Sequence, residues 1–297
     1  MMVVKNLINL DEGVLNALRL FSSHKLLSLD FGHYQRPLIV GSGNAAVVGK
    51  ILFADTDAVF ADESTYLHRL NTVKTIDGGI LISAFGGKHA PIIAKEVRKR
   101  GKKVVLLTHN SEAMAKKYAH KTLIFPKRPE PYTYNTSTYL GLILAKTKES
   151  PQKILRQLNT IKVPRNLNSY HAFFLIVPPQ FDLIREMFLT KFDELFGAKV
   201  SGRVFTVEQA KHAKTVVPSE KELFISFGWK NTLFGTKANR WNIPLPKKAD
   251  YGLMMALGYY IIGQIQQQHP PYFKQHIERY CQEASKVFGQ EIKVMVE

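Results

Sequence analysis

Residues 78–110, with the sequence GGILISAFGGKHAPIIAKEVRKRGKKVVLLTHN, contain the clearest structural pattern in the chain. The unbroken apolar run at 80–82 predicts a strand that is covered on both faces. Apolar residues then recur at helical spacing over 90–97, with charged residues largely off that face. Four apolar residues at 104–107 predict the next buried strand. The stretch is therefore a strand–helix–strand unit, whose crossover is expected to be right-handed.

The loop between this strand and its helix contains Gly86, Gly87 and Lys88. Ligands of parallel sheets bind at the carboxyl ends of the strands, where the next helix offers free N–H groups and the positive end of its dipole. Glycines let the backbone approach an anion closely, and Lys88 adds a positive charge. The loop is therefore either an anion site or a plain tight turn whose glycines serve only geometry.

The same alternation of strands and helices extends on both sides of this unit. A helical lead-in is predicted over residues 1–35, followed by a doubly wound domain with five strands over 36–147. A polar segment with prolines predicts a linker over 148–169, after which the pattern restarts, with fewer clear strands, over 170–297. The predicted fold class is α/β, with two doubly wound parallel-sheet domains of the flavodoxin type, the second eroded.

The composition limits the classes of partner and the compartment. The chain of 297 residues has a net charge of +17, from 41 Lys and Arg against 24 Asp and Glu. Its basic residues are spread along predicted helices, so an anionic small substrate explains the charge as well as nucleic acid would, and no nucleic acid is predicted. The longest apolar run, over 252–263, is too short to span a bilayer, so no membrane partner is predicted. The single cysteine, Cys281, and the lack of a signal-peptide pattern predict a cytoplasmic protein.

A second glycine-rich turn follows the first predicted strand. Residues 41–46 fit the pattern G-x-G-x-x-A, and Asp62 and Glu63 follow the second strand about 20 residues later. A dinucleotide fingerprint places its ribose-binding acid at that distance, so a nicotinamide-dependent oxidoreductase is one interpretation. It leaves the glycine-rich loop over 83–88 without a role.

Another interpretation uses three loops together. Short hydroxyl or amide side chains, several of them beside glycines, follow the first and third strands and open the helix after the fifth. Such groups, together with backbone N–H groups, can hold a phosphate monoester. The predicted phosphate contacts are Gly41, Ser42, Gly43, Asn44, Ser83, Gly86, Gly87, Lys88, Asn135, Thr136 and Ser137. This interpretation requires neither a metal nor a cofactor.

Residues 38–145 resemble a sugar isomerase (SIS) domain, a family that binds phosphosugars through serine- and threonine-rich loops at these places. The run over 81–125 is similar to the central segment of the family, and EPYTYNTSTY over 130–139 is similar to its E-x-x-x-x-S-T-K-x-(Y/F) segment. The second half of the chain is similar to the second domain of the two-SIS enzymes. These include the bifunctional phosphoglucose/phosphomannose isomerases and the isomerase part of glucosamine-6-phosphate synthase.

The resemblance implies aldose–ketose isomerisation of a hexose 6-phosphate through an enediol, and a homodimer is common in the family. The residues that match its catalytic positions are Glu194 in KFDELFGAK, His212 in VEQAKHAK and Lys293 in the C-terminal segment. A carboxylate can move the proton between C1 and C2, a neutral histidine can assist ring opening, and a lysine can stabilise charge on the oxygens.

Two loops differ from the family pattern. The segment S-x-S-G-x-(T/S) reads SAFGGK over 83–88, so that Phe85 and Lys88 replace hydroxyl residues, and S-T-K reads Asn-Thr-Ser over 135–137. Lys88 is expected to replace the missing hydroxyls as a phosphate contact. Since such changes spare binding more than catalysis, a non-catalytic phosphosugar sensor stays open beside the isomerase.

Overall fold

A computed structural model describes residues 7–296, so residues 1–6 of the predicted lead-in and residue 297 lie outside the described part. The first half contains α1 (Leu10–Ser23), β1 (Pro37–Gly41), α2 (Asn44–Leu52), β2 (Val59–Ala61), α3 (Tyr66–Thr72), β3 (Gly78–Ile82), α4 (Ala90–Lys99), β4 (Lys103–Thr108), β5 (Lys121–Ile124), β6 (Glu130–Pro131) and α5 (Thr136–Thr147). The second half contains α6 (Pro151–Leu158), β7 (Ala172–Val177), α7 (Arg185–Phe196), β8 (Ser201–Thr206), α8 (Val207–Lys211), β9 (Glu222–Phe227), β10 (Arg240–Ile243), α9 (Tyr251–Gln268), α10 (Tyr272–Phe288) and β11 (Met295–Val296).

The first sheet has five parallel strands in the order β2-β1-β3-β4-β5. Every residue of β1 and β3 is buried, as expected for strands that are covered by helices on both faces. This sheet confirms the predicted α/β fold class. Between β4 and β5 the chain forms only a short 3₁₀ turn, Met114–Tyr118, because only Ala115 in it is buried and no longer apolar face is available to hold a full helix.

The second sheet has four parallel strands in the order β8-β7-β9-β10. It repeats the order β2-β1-β3-β4 of the first sheet but lacks a fifth strand. This agrees with the prediction that the second domain is a reduced copy of the first. Between β9 and β10 the chain forms only a 3₁₀ turn, Lys237–Asn239, where a helix stands in the first half. Residues 228–247 are too few to form both a full helix and a strand, and they form only the strand β10.

One hydrophobic core joins the two halves. It includes residues of α1, α5, α7 and α9, and 13 of the 18 residues of α9 are buried. The segment predicted as a linker contributes α6, whose Ile154 and Leu158 are buried in the same core. Across residues 7–296, the helices are each too short or too polar to cross a membrane.

Two glycines of α9 allow this close packing. A Cβ atom on Gly258 would lie 2.0 Å from the Phe188 ring of α7, and one on Gly263 would lie 2.0 Å from the backbone nitrogen of Asp11 in α1. The backbone of α1 cannot yield as a flexible side chain could, so Gly263 fixes how closely α1 and α9 approach.

We expect Gly263→Ala to lower the free energy of unfolding by about 1–3 kcal/mol, the usual cost of overpacking a core. Urea denaturation measures this loss. Gln267→Ala, an exposed position on the same helix, is the control and should change stability little. Equal stabilities of the two variants would contradict the assigned packing.

Candidate functional site

A cavity of about 340 Å³ lies at the carboxyl edge of the first sheet. Its wall brings together the two glycine-rich loops, the end of β2, the segment before α5, and parts of α7 and α10. The lining residues are Val40, Gly41, Ser42, Gly43, Asn44, Ala45, Glu63, Leu81, Ile82, Ser83, Ala84, Phe85, Gly87, Lys88, His89, Ala90, Ile93, Tyr132, Thr133, Asn135, Tyr139, Thr190, Glu194, Tyr280 and Phe288. Both halves of the chain therefore contribute to one cavity.

The turn between β1 and α2 depends on its glycines. A Cβ atom on Gly41 would lie 2.6 Å from the carbonyl carbon of Ala45, so only glycine fits where the strand meets the helix. Gly43 has φ of +53° and is the N-cap of α2. The amides of Ala45 and Ala46 bond to carbonyls of this turn, whereas those of Gly43 and Asn44 donate to no group in residues 7–296.

The loop after β3 is shaped in a similar way. The Ser83 hydroxyl accepts a hydrogen bond from the Gly86 amide at 3.1 Å. Gly86 has φ of +61° and Lys88 has φ of +47°, so the backbone turns repeatedly before α4 begins. The amides of Gly87, Lys88 and His89 have no acceptor in the described part of the chain. Successive free amides in such a turn make a concave site for an anion.

Lys88 has an unusual environment for a lysine on a cavity wall. Its Nζ donates to the Tyr132 hydroxyl at 2.5 Å and lies 3.8 Å from the centroid of the Phe288 ring. No carboxylate of residues 7–296 forms an ion pair with it. Burial lowers the pKa of Lys88, because the charged form loses hydration that aromatic rings replace only in part. An anion in the cavity would compensate this cost.

The start of α5 is closed off by a carboxylate of the chain itself. Glu130 accepts hydrogen bonds from the amides of Thr136 and Ser137 at 2.9 and 3.2 Å. Both residues are buried and neither lines the cavity; only Asn135 of this predicted group does. The positive end of the α5 dipole is thus already occupied by Glu130.

Glu194 lies on the cavity wall, on α7, one turn after Thr190. Lys191 Nζ donates to its carboxylate at 2.6 Å and to the Thr133 carbonyl at 2.7 Å, which fixes the carboxylate in place. Lys191 is fully buried, whereas 27% of the Glu194 side chain is exposed. Burial raises the pKa of Glu194, and the charge of Lys191 opposes part of that rise.

The other two predicted catalytic residues lie outside this cavity. His212 is exposed at the end of α8 and is absent from the cavity wall. Lys293 is exposed and lines a neighbouring cavity of about 410 Å³, which shares Lys88 and Tyr132 with the first. The structure therefore brings Glu194 into one cavity with both glycine-rich loops, places Lys293 in the neighbouring cavity that the loop after β3 also lines, and leaves His212 outside both.

The aromatic part of the wall was not predicted from the sequence. Tyr132 stacks on Phe85 with ring centroids 5.4 Å apart, and His109 packs edge-on against Phe85. Burial, with a smaller effect from Lys127, lowers the pKa of His109 to about 3, so it is neutral beneath the loop. Phe85 was the only signal in the sequence, since an apolar ring in an otherwise polar loop is expected to pack against other apolar groups.

Several solved structures have this fold. The chain is similar to glucosamine-6-phosphate deaminase from Thermotoga maritima, with a TM-score of 0.65 and 14% identity over 88% of this chain and 94% of that one. It is also similar to the C-terminal domain of glucosamine-fructose-6-phosphate aminotransferase from Francisella tularensis, with a TM-score of 0.60 and 13% identity over 89% and 93% of the two chains. Tagatose-6-phosphate ketose/aldose isomerase from Escherichia coli gives a TM-score of 0.57 and 12% identity over 89% of each chain. At these identities the similarity shows the fold alone. No protein-family model and no curated protein matches the sequence.

The Glu130 cap predicts a pH dependence of stability. Burial raises the pKa of Glu130 from its usual 4.5 to about 7, against the lowering effect of the two amides. Between these pH values the folded protein keeps a proton that the unfolded chain has lost, so the contribution of Glu130 to stability falls as the pH rises through this window. The loss should be about 3 kcal/mol.

Urea denaturation at pH 4.5 and pH 8 tests this expectation. Glu130→Gln does not titrate, so its stability should fall by about 3 kcal/mol less than that of the wild type over this range. The exposed Glu112 gives the control Glu112→Gln, which should behave as the wild type. Equal pH dependence in all three proteins would show that Glu130 has an ordinary pKa.

Proposed function

We propose that this protein binds a hexose 6-phosphate and converts it between its aldose and ketose forms. The observation that carries the proposal is that one cavity holds both the anion-type loops of the first sheet and the Glu194 carboxylate from the second half. An isomerase needs a group that holds the phosphate and a base beside C1 and C2, and the two halves supply one each.

The phosphate lies against the loop after β3. Within residues 7–296, the amides of Gly87, Lys88 and His89 have no acceptor and the Lys88 ammonium has no carboxylate partner, and both features favour an anion there. A phosphate beside Lys88 would form charge-assisted hydrogen bonds in a partly desolvated site, where such bonds are strong. The net charge of +17 also favours the arrival of an anionic substrate.

Glu194 is the base. It removes the C2 proton of the open-chain aldose to give an enediolate and delivers a proton to C1, while a proton moves between O1 and O2, so that the ketose forms with the same atoms. A carboxylate whose pKa is raised by burial is a stronger base than an exposed one, and Lys191 keeps it oriented.

The named activities of the similar structures support this substrate class. The glucosamine-6-phosphate deaminase, the aminotransferase domain and the tagatose-6-phosphate isomerase are all named for 6-phosphorylated sugars. Ligands of parallel sheets bind at the carboxyl ends of the strands, and the cavity of this chain lies at that edge. The support concerns the class of ligand, and the reaction depends on Glu194.

A phosphosugar sensor without catalysis is the second candidate, and the position of His212 favours it. The residue expected to open the sugar ring is exposed on α8 and absent from the cavity wall. The phosphate loops would still bind the same ligand. The two candidates differ only in whether the C2 proton exchanges with solvent.

Lys88→Ala should weaken the binding of glucose 6-phosphate and fructose 6-phosphate by about 1.5–3 kcal/mol, the value of a hydrogen bond to a charged group. Isothermal titration calorimetry measures this loss. Lys95→Ala, on the exposed face of α4, is the control and should bind as the wild type does.

The same titrations with NAD(H) and NADP(H) test the dinucleotide fingerprint at Gly41. Tighter binding of these nucleotides than of any sugar phosphate would replace the proposal with an oxidoreductase.

Glu194→Gln keeps the shape of the side chain and removes the base. Turnover should fall by roughly 100- to 10,000-fold, as is typical for the loss of a general base, with binding little changed. The neighbouring exposed carboxylate provides the control Asp193→Asn, which should retain activity.

The reaction can be followed by deuterium exchange at C2 of the bound hexose 6-phosphate in D₂O. A wild type that binds the sugar without exchange is a sensor. Exchange that persists in Glu194→Gln would assign the base to another residue.

A further inference from the structure

Three residues that line the cavity have a buried side-chain oxygen without a hydrogen-bond partner in residues 7–296. The atoms are Thr133 Oγ1, in the segment before α5, and Asn44 Oδ1 and Glu63 Oε2, which follow the neighbouring strands β1 and β2. Buried polar atoms in folded proteins are nearly always paired, because an unpaired one keeps the cost of its lost hydration. The adjacent pair, Asn44 and Glu63, therefore calls for a partner that the described residues do not supply.

Asn44 is held from the opposite half of the molecule. Its side-chain amide lies 3.1 Å from the hydroxyl of Tyr259, with Nδ2 as donor. Asn44 is only 6% exposed, and Tyr259 on α9 is completely buried, so the amide group has little freedom to turn. One amide atom is bound to Tyr259 and the other remains for a ligand.

Glu63 and its neighbour Asp62 have different roles, which the sequence could not separate. Asp62 accepts hydrogen bonds from the amides and hydroxyls of Ser64 and Thr65, and these, the hydroxyls first, lower its pKa to about 2, so it shapes the turn before α3. Glu63 makes none of these bonds, and it lines the cavity. The carboxylate that is available to a ligand is therefore that of Glu63.

The position of Glu63 relative to Lys88 gives the cavity two chemically different ends. Glu63 follows β2 and Lys88 follows β3, and β1 lies between these two strands. Since neighbouring strands are about 4.8 Å apart, the two strand ends are separated by about 10 Å. The Lys88 end offers donors and positive charge, and the Glu63 end offers acceptors. An anion is attracted to the first and repelled by the second.

We infer that Asn44 and Glu63 recognise the hydroxyl groups of the ligand and orient its carbon chain, with the phosphate at the loop after β3 and the hydroxyls towards the end of β2. This inference rests on the proposed function. A carboxylate only accepts, so it selects a donor. A hydroxyl both donates and accepts, so it satisfies Asn44 in either orientation of the amide. The ligand class is therefore a phosphorylated polyhydroxy chain, as opposed to an anion with an apolar body.

Calorimetric titration with sorbitol 6-phosphate and with inorganic phosphate tests this assignment. The wild type should bind sorbitol 6-phosphate at least tenfold more tightly than phosphate, because only the former pairs the two oxygens. Asn44→Ala and Glu63→Ala should each weaken binding of sorbitol 6-phosphate by roughly tenfold and leave phosphate binding unchanged. Exposed Glu278 gives the control Glu278→Gln, which should leave both affinities unchanged.

Tyr259→Phe provides a second test that leaves both proposed ligand contacts in the sequence. It removes the hydroxyl that holds the Asn44 amide and keeps the ring that packs in the core. It should weaken sorbitol 6-phosphate binding and spare phosphate binding, with Asn44 acting as the contact and Tyr259 as the positioning residue. Thermal unfolding in the absence of ligand verifies that each variant is folded.

Each contrary outcome is distinguishable. Equal affinity of the wild type for the two ligands would overturn the recognition of hydroxyls and leave the phosphate site intact. Variants that lose both ligands equally, or neither, would also overturn it. A wild type that binds neither ligand would overturn this inference and the proposed function together.

Discussion

The close approach of α9 to its neighbours is the constraint on which the rest of the structure depends. Gly258 admits the Phe188 ring of α7, and Gly263 admits the backbone of α1. Between these glycines, Tyr259 reaches the Asn44 amide at the edge of the first sheet. The helix that joins the two halves thus also fixes a side chain of the cavity. The position of Glu194 relative to the glycine-rich loops follows from the same packing, because α7 packs on α9.

The fold could be predicted from periodicity, and the detailed site only in part. The strand–helix–strand pattern over 78–110 predicted two neighbouring parallel strands. Because these strands are buried on both faces, their sequences are continuous apolar runs, which can be recognised from the sequence alone. The meeting of Glu194 with the glycine-rich loops was expected from the family resemblance. The capping of α5 by Glu130 could not be predicted from the sequence. Short polar side chains at the start of a helix are compatible with a bound anionic ligand and equally with a carboxylate from the chain itself. Likewise, nothing in the spacing around His212 shows which way the end of α8 faces.

The two sheets share a strand order but differ at the edge where ligands bind. After the first strand of the first half, the amides of Gly43 and Asn44 donate to no group in residues 7–296. The corresponding strand of the second half, β7, is followed by Pro178 and Pro179, which have no N–H group to offer an anion. The turn after β7 therefore lacks the backbone donors of the turn after β1, and in the proposed reaction the second half supplies the base. In that proposal the two halves have complementary roles in one cavity.

Because the hydrophobic core is continuous, the two halves are expected to unfold together. In proteins built from separate units, one unit can melt while the other persists. Here α1, α6 and α9 are buried together with residues of both sheets, so opening either half would expose apolar surface of the other. The chain should therefore melt as one cooperative unit, with a single calorimetric transition. A ligand held at the first sheet would then protect the second sheet from proteolysis to the same degree as the first, although the proposed phosphate contacts all lie in the first half.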